Sequence, residues 1–156
     1  MKLNFNYDIS IIVPGIRNEH WQTVWEQTKN ACKRYKWEMI FCGPAPLPDI
    51  MQKEHNIKYI KDFGSPTRAV HISTLIAEGR FLTWLSDDSH VYSDSIDMAI
   101  DLLLSKNAEK DIITMRYSEG PNHSGACPPD AYWTAGYHGD LKLAGINPKW
   151  SISCVM

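Results

Sequence analysis

The chain has 156 residues, the size of one domain, with 44% apolar and 22% charged residues, a composition of folded globular proteins and not of disordered or collagen-like ones. Sixteen Lys and Arg against eighteen Asp and Glu leave a formal net charge of −2, too balanced for the cationic face that holds a phosphate backbone, so no nucleic-acid partner is expected. The longest apolar runs, Ile9-Ser10-Ile11-Ile12-Val13 and Leu102-Leu103-Leu104, fall well short of the roughly 18 residues of a membrane span, and Met1 to Asp8 lacks the apolar core of a secretory signal. A cytoplasmic protein without a membrane span is expected.

From Asp8 to about Arg116, short β-type runs alternate with helical ones, which predicts an α/β fold with a mostly parallel sheet. Asp8 to Val13 is a β-branched run halted by Pro14-Gly15, as expected of a strand buried on both faces. From His20 to about Arg34, Trp21, Val24, Trp25, Thr28, Ala31 and Cys32 recur at steps of three and four, the spacing of an amphipathic helix. Trp37 to Cys42 supplies a second strand, and the prolines of Gly43-Pro44-Ala45-Pro46-Leu47-Pro48 forbid regular structure after it. Ile57 to Ile60 is a short strand. Ser65-Pro66 then has the order of an N-cap and a first-turn proline, opening a helix whose apolar positions are Ala69, Ile72, Leu75 and Ile76, with Gly79 as its closing C′ glycine.

Phe81 to Leu85 reads as another buried strand, ending abruptly in Ser86-Asp87-Asp88-Ser89. Ser93 is placed to cap a third helix with Ile96, Ala99, Ile100 and Leu103 on its buried face, and Asp111 to Met115 is the next strand. Past Tyr117 the chain becomes a Gly- and Pro-rich loop, with a short helix at Asp140 to Ala144 and a strand from Trp150 to Val155 expected beyond it. Cys32, Cys42, Cys127 and Cys154 form no Cys-x-x-Cys pair and read as reduced, mostly buried thiols. The histidines have no zinc-type spacing; His90, two residues past Asp88, lies nearest to candidate chemistry.

Open parallel sheets bind ligands beyond the carboxyl ends of their strands, which directs attention to Pro14, Gly15, Arg17 and Glu19, to Arg68, and to Asp87 and Asp88. Adjacent carboxylates repel unless they face solvent or share a cation, so the Asp87-Asp88 pair reads either as a Mg²⁺ or Mn²⁺ site that also holds a diphosphate or as a polar loop capping the next helix. Arg68, in a first helical turn, either clamps phosphate or pairs with an acid such as Asp62. Arg17 has the same two readings, and Glu19 either belongs to the site or sits favourably near a helix N-terminus.

The ordered set Ile11-Ile12-Val13-Pro14, Arg68 at a helix start, Ala77-Glu78-Gly79-Arg80-Phe81 and Trp84-Leu85-Ser86-Asp87-Asp88 resembles the nucleotide-sugar-binding half of a family 2 glycosyltransferase of the GT-A fold, closest in style to spore-coat polysaccharide glycosyltransferases. The resemblance implies a single Rossmann-like domain over 1–156, with 8–116 as the nucleotide-sugar-binding half and 117–156 as a partial acceptor-side segment, and a hexosyltransferase-like activity. It implies that Pro14 and the residues after it line the base and ribose, that Arg68 approaches the diphosphate, that Asp87 lies near the ribose, and that Asp88 ligates Mn²⁺ or Mg²⁺. The donor would be a nucleotide-diphosphate sugar and the acceptor a saccharide, lipid or protein.

Two departures stand out. Gly43-Pro44 occupies the place of the acidic residue with which the family recognises the base, and Ala69, Val70 and His71 replace the Asn that follows the helix arginine. The family's general base lies in a segment beyond the strand that Ser151 to Val155 resembles, so the chain is expected either to be truncated or to use Glu119, Asp130 or Asp140 in that role. Tyr132, Trp133 and Tyr137 either stack on a sugar or pack in the core. A half-fold would leave apolar surface that invites homo-oligomers. The rival to a transferase is a non-catalytic sugar-nucleotide-binding or interaction module; a nucleotidyltransferase lacks support because the chain has no Gly-rich, basic triphosphate loop.

Overall fold

Four short β-type runs pair in parallel in the order β3-β2-β1-β4, formed by β1 (Tyr7–Pro14), β2 (Trp37–Gly43), β3 (Ile57–Lys61) and β4 (Gly79–Trp84). The structure, a computed structural model, describes residues 4–105 and 112–113. Helix α1 (Trp21–Ala31) connects β1 to β2, α2 (Pro66–Leu75) connects β3 to β4 and α3 (Ser95–Ser105) follows β4, with single 3-10 turns at Asn18–His20 and, between β2 and β3, Asp49–Met51. This is the expected Rossmann-like α/β architecture. Among the described residues no helix is long and apolar enough to cross a membrane.

Alternation along the strands sorts the core into two layers. Ile9, Ile11 and Val13 of β1 lie in register with Trp37, Met39 and Phe41 of β2 and pack in one cluster with Trp21, Val24 and Trp25 of α1 and Ile96, Ile100 and Leu103 of α3. Trp21 stacks at a tilt on Phe41, ring centroids 4.9 Å apart. The intervening residues Ser10, Ile12, Glu38, Ile40 and Cys42 are buried on the opposite face, where α2 meets Cys42 through Ser73.

Several local expectations are corrected. Gly79 does not close α2, which ends at Leu75; it opens β4 opposite Tyr7, where a Cβ would strike the backbone of Ile9 and Ser10. The constraint on this glycine is close strand approach. Of the expected apolar stripe Ala69 is buried and Ile72 half-buried, but Leu75 is 73% exposed and Ile76 lies beyond the helix, also exposed; Ser73 completes the buried face of α2 beside Ala69. Helix α1 stops at Ala31, short of Arg34, because the buried Asp97 carboxylate accepts the N–H groups of Lys33 (3.0 Å) and Arg34 (3.2 Å) and fixes a turn there. Ser93 does not cap α3. Asp94, at φ 60°, gives its carbonyl to the Met98 N–H, and Ser93 donates to the Asp94 side chain instead. The expected strand from Asp111 to Met115 lies outside the described residues apart from Ile112 and Ile113; Ile113 packs against the core. The helix and strand expected near 140–144 and 150–155 lie outside them entirely.

The second face encloses a charge. Glu38 is fully buried opposite Ser10. Its Oε1 accepts from the Ser10 hydroxyl (2.5 Å) and the Glu78 N–H (2.6 Å), and its Oε2 pairs with the Lys58 ammonium at 2.8 Å. The Gly79 N–H donates to Ser10 Oγ at 2.8 Å, so one polar network joins all four strands. Glu38→Ala would strip the acceptor from these donors, and a loss of about 3–5 kcal/mol is expected in urea unfolding; a loss below about 1 kcal/mol would show that the network is dispensable.

Burial, and after it the Asp97 charge, pushes the Cys32 thiol up from 9.0 to about 12. A raised folded value means that the native state keeps this proton in a window where the unfolded chain has released it. The contribution is therefore intact below 9.0 and lost as pH climbs toward about 12. Wild type should lose more denaturant stability than Cys32→Ala between about pH 8 and about pH 11; equal losses would contradict this assignment.

Candidate functional site

The chain runs outward from β1 through β2 to β3 and then returns to pair β4 on the other side of β1. That reversal opens a crevice beyond the carboxyl ends of β1 and β4, the place where such sheets hold ligands. Pro14 ends β1 buried and in register with Cys42, and the Gly15 N–H donates to the Cys42 carbonyl at 3.0 Å. The loop then turns the N–H groups of Ile16 and Arg17 onto Asp87 Oδ2, each at 3.0 Å.

Asp87 is 3% exposed. Its Oδ1 accepts from Arg17 Nε at 3.1 Å and from Arg17 Nη2. The remaining corner of the guanidinium, Nη1, lies 2.9 Å from Asp88 Oδ2. The adjacent carboxylates thus do share a cation, and within the chain that cation is Arg17. Asp88 remains half-exposed; its Oδ1 accepts from the Ser86 hydroxyl at 2.7 Å. The Ser86 hydroxyl, and after it the Arg17 charge, outweigh desolvation and hold the Asp88 carboxyl below its ordinary value. It is therefore an anion at neutral pH.

The carboxyl edge continues from this cluster across β2 to β3. A Cβ on Gly15 would overlap the Asp87 side chain, and one on Gly43 would overlap the Gly15 carbonyl. The Asp62 N–H donates to the Gly43 carbonyl at 3.1 Å. Ser65 caps α2 as expected, accepting from the Arg68 N–H at 3.3 Å, and Pro66 begins the helix. The Arg68 guanidinium pairs with Asp62, Nε to Oδ1 at 3.0 Å. Of the two readings of Arg68 the structure thus has the pair with Asp62, and Arg17 is the arginine on the Asp87-Asp88 pair. The Gly64 N–H first, and then Arg68, hold the Asp62 carboxyl below its ordinary value. Glu19 sits exposed in the 3-10 turn before α1. Glu119, Asp130 and Asp140, together with Tyr132, Trp133 and Tyr137, lie outside the described residues.

Beside Asp88 opens a cleft of about 150 Å³, lined among others by His20, Gln27, Ser89 and His90. Gln27 Oε1 accepts from the Val91 N–H at 2.9 Å, which directs its Nε2 to donate to His90 Nδ1, also at 2.9 Å. In a neutral imidazole that bond leaves the ring hydrogen on Nε2. Sequence reasoning missed Gln27. Its signal was position: it falls three residues after Val24, half-buried at the margin of the buried stripe of α1, within reach of whatever packs beside that face.

The donor set fits a hard divalent cation in a limited way. Among the described residues no three His, Cys, Asp or Glu side chains converge on a metal position. Asp87, expected as a second ligand, has both oxygens occupied by the chain. Asp88 alone offers a reachable carboxylate, which suits Mg²⁺ or Mn²⁺ only where substrate oxygens and water complete the shell.

No family model and no curated protein matches the sequence. Among solved structures, S. aureus TarS 1-349 is similar with a TM-score of 0.59 at 16% identity, covering 74% of this chain and 36% of that one. A second S. aureus TarS structure gives a TM-score of 0.58 at 17% identity over 74% of this chain and 22% of its own. The fold is therefore a mostly parallel, Rossmann-like α/β fold of the GT-A type. The chain spans about a third or less of the TarS structures it matches. These matches lend no support to the narrower likeness to spore-coat enzymes.

Gly43→Ala tests the packing of the edge. The new methyl meets backbone on one side and the Trp21 ring on the other, so a loss of about 1–3 kcal/mol in thermal or urea unfolding is expected. An unchanged midpoint would show that the β1 and β2 loops are free to part.

Proposed function

We propose that this chain is the donor-binding part of a family 2 glycosyltransferase, acting on a nucleotide-diphosphate sugar with Mn²⁺ or Mg²⁺. The observation that carries the reading is the placement of Arg17, Asp87 and Asp88 together at the sheet reversal, on a fold of the glycosyltransferase type. Asp88 is the group that would hold the cation, which when bound supplies positive charge to the departing diphosphate. Pro14, Gly15 and Gly43 form the floor toward the base and ribose. Glycine at 15 leaves room for the Asp87 side chain and glycine at 43 for the Gly15 carbonyl, which closes this floor.

In this reading Asp87 does not touch the cation. It fixes the β1 loop and the Arg17 fork, and thereby sets where the donor's charged groups rest. Transfer itself needs a carboxylate to take the proton of an acceptor hydroxyl, a contribution worth about 10²–10⁴ in rate; Glu119, Asp130 and Asp140 are the proposed candidates within this chain. The acceptor class, whether saccharide, lipid or protein, is set by parts of the molecule other than this edge.

Calorimetry of the full chain with UDP and GDP, each with and without Mn²⁺, tests the proposal. Wild type should bind at least one of them about tenfold or more tightly with the cation, and Asp88→Ala should lose that enhancement. Equal cation dependence in the two proteins would remove Asp88 from the metal role. Hydrolysis or transfer of the corresponding sugar donor by this chain would show that it also holds the catalytic carboxylate.

A further inference from the structure

We infer that Arg17 couples cation binding to donor binding, its Nη1 corner exchanging Asp88 for a phosphate oxygen of the donor. The inference rests on the donor-site reading above and goes further, since it makes one side chain responsible for the mutual strengthening of cation and nucleotide.

The geometry divides the guanidinium into an anchored part and a free part. Nε and Nη2 are both held by Asp87 Oδ1, and the same carboxylate holds the Arg17 backbone N–H through Oδ2. Asp87 is buried and has no oxygen to spare for another partner. Nη1 alone reaches past it, to Asp88 Oδ2 at 2.9 Å. The side chains of Arg17 and Asp88 are 45% and 48% exposed, so both ends of this last contact are open to a ligand. The other oxygen of Asp88 is engaged by Ser86.

A divalent cation seeking Asp88 meets a guanidinium already on Oδ2, and arriving alone it would sit next to a fixed positive charge that Asp87 prevents from retreating. Like charges at such separations oppose each other strongly where solvent is partly excluded. A diphosphate removes the conflict. Its oxygens accept from Nη1 and also ligate the cation, so the negative group lies between two positive ones. Cation and nucleotide should therefore each strengthen the other's binding, and by the same factor, as linkage requires.

Lysine cannot replace this fork, because one ammonium cannot sit on Asp87 and present a second, differently directed donor. It does keep a positive charge beside the buried carboxylate. Arg17→Lys is thus a second variant should Arg17→Gln fail to fold.

The test measures free Mn²⁺ by electron paramagnetic resonance as it is titrated into the full chain, alone, with UDP and with GDP. In wild type, Mn²⁺ alone should bind weakly and at least one nucleotide should tighten it about tenfold or more. Arg17→Gln and Arg17→Lys should both cut that enhancement to about threefold or less, and Arg17→Gln should bind Mn²⁺ alone about fivefold or more tightly than wild type. Enhancement that survives in a folded Arg17 variant, or Mn²⁺ alone bound no more tightly by folded Arg17→Gln, overturns the coupling role and leaves the donor site standing. If wild type shows no mutual enhancement with either nucleotide, the donor-site reading falls and the inference falls with it.

Discussion

A carboxylate withdrawn from water is costly unless its oxygens are filled, and Asp87 meets that condition with groups from one neighbouring loop: the N–H groups of Ile16 and Arg17 and the Arg17 guanidinium. The residues after β4 are thereby fastened to the residues after β1. Gly15 permits the close approach, since any side chain there would occupy the space of Asp87. Asp88, the next residue, is left half-exposed with its charge directed along the edge. The difference within the doublet follows from burial: Asp87 fastens the two loops together and Asp88 is left open to solvent.

The sheet behind this edge is organised by a second enclosed carboxylate. Glu38 links β1, β2 and β3 to the segment entering β4 through Ser10, Lys58, Glu78 and Gly79. It lies in the strand position where alternation alone would place an apolar side chain, between buried Ile40 on its own strand and the α2 face. The fold thus fixes strand order with a polar network on one face and with apolar packing of α1 and α3 on the other. Both layers serve the same end, which is to hold the carboxyl ends of β1 and β4 side by side.

The parallel α/β class was legible because continuous β-branched runs and three-to-four spacing differ sharply, and Asp8 to Val13 and Trp21 to Cys32 show them clearly. What misled was local chemistry with two physical uses. Gly79 has the look of a helix stop, yet strand contact explains it; Leu75 and Ile76 have helical spacing, yet the packing of α2 uses Ala69 and Ser73. In the site, the acidic doublet at the end of β4 was readable from adjacency, with a divalent metal site or a polar capping loop as its two readings. That an arginine pairs with both carboxylates, and that it is Arg17, was not, because Arg17 and Arg68 lie 70 and 19 residues from Asp87 in sequence and only the strand order β3-β2-β1-β4 decides which loop is the neighbour. Gln27 escaped notice because its partners on the Val91 loop are likewise distant in the chain.

The claim at the centre of this account is spatial: a cation held with a nucleotide diphosphate rests beside Asp88, within reach of the loop that follows β1. Paramagnetic broadening of backbone amide resonances by Mn²⁺, recorded with saturating UDP or GDP, reads that position directly. The account predicts that the strongest broadening falls on the amides of Ile16, Arg17 and Ser89 and fades toward Lys58 and Glu78 at the opposite end of the sheet. Broadening centred on Asp62 and Arg68, or confined to residues remote from the β1 and β4 carboxyl ends, would contradict it.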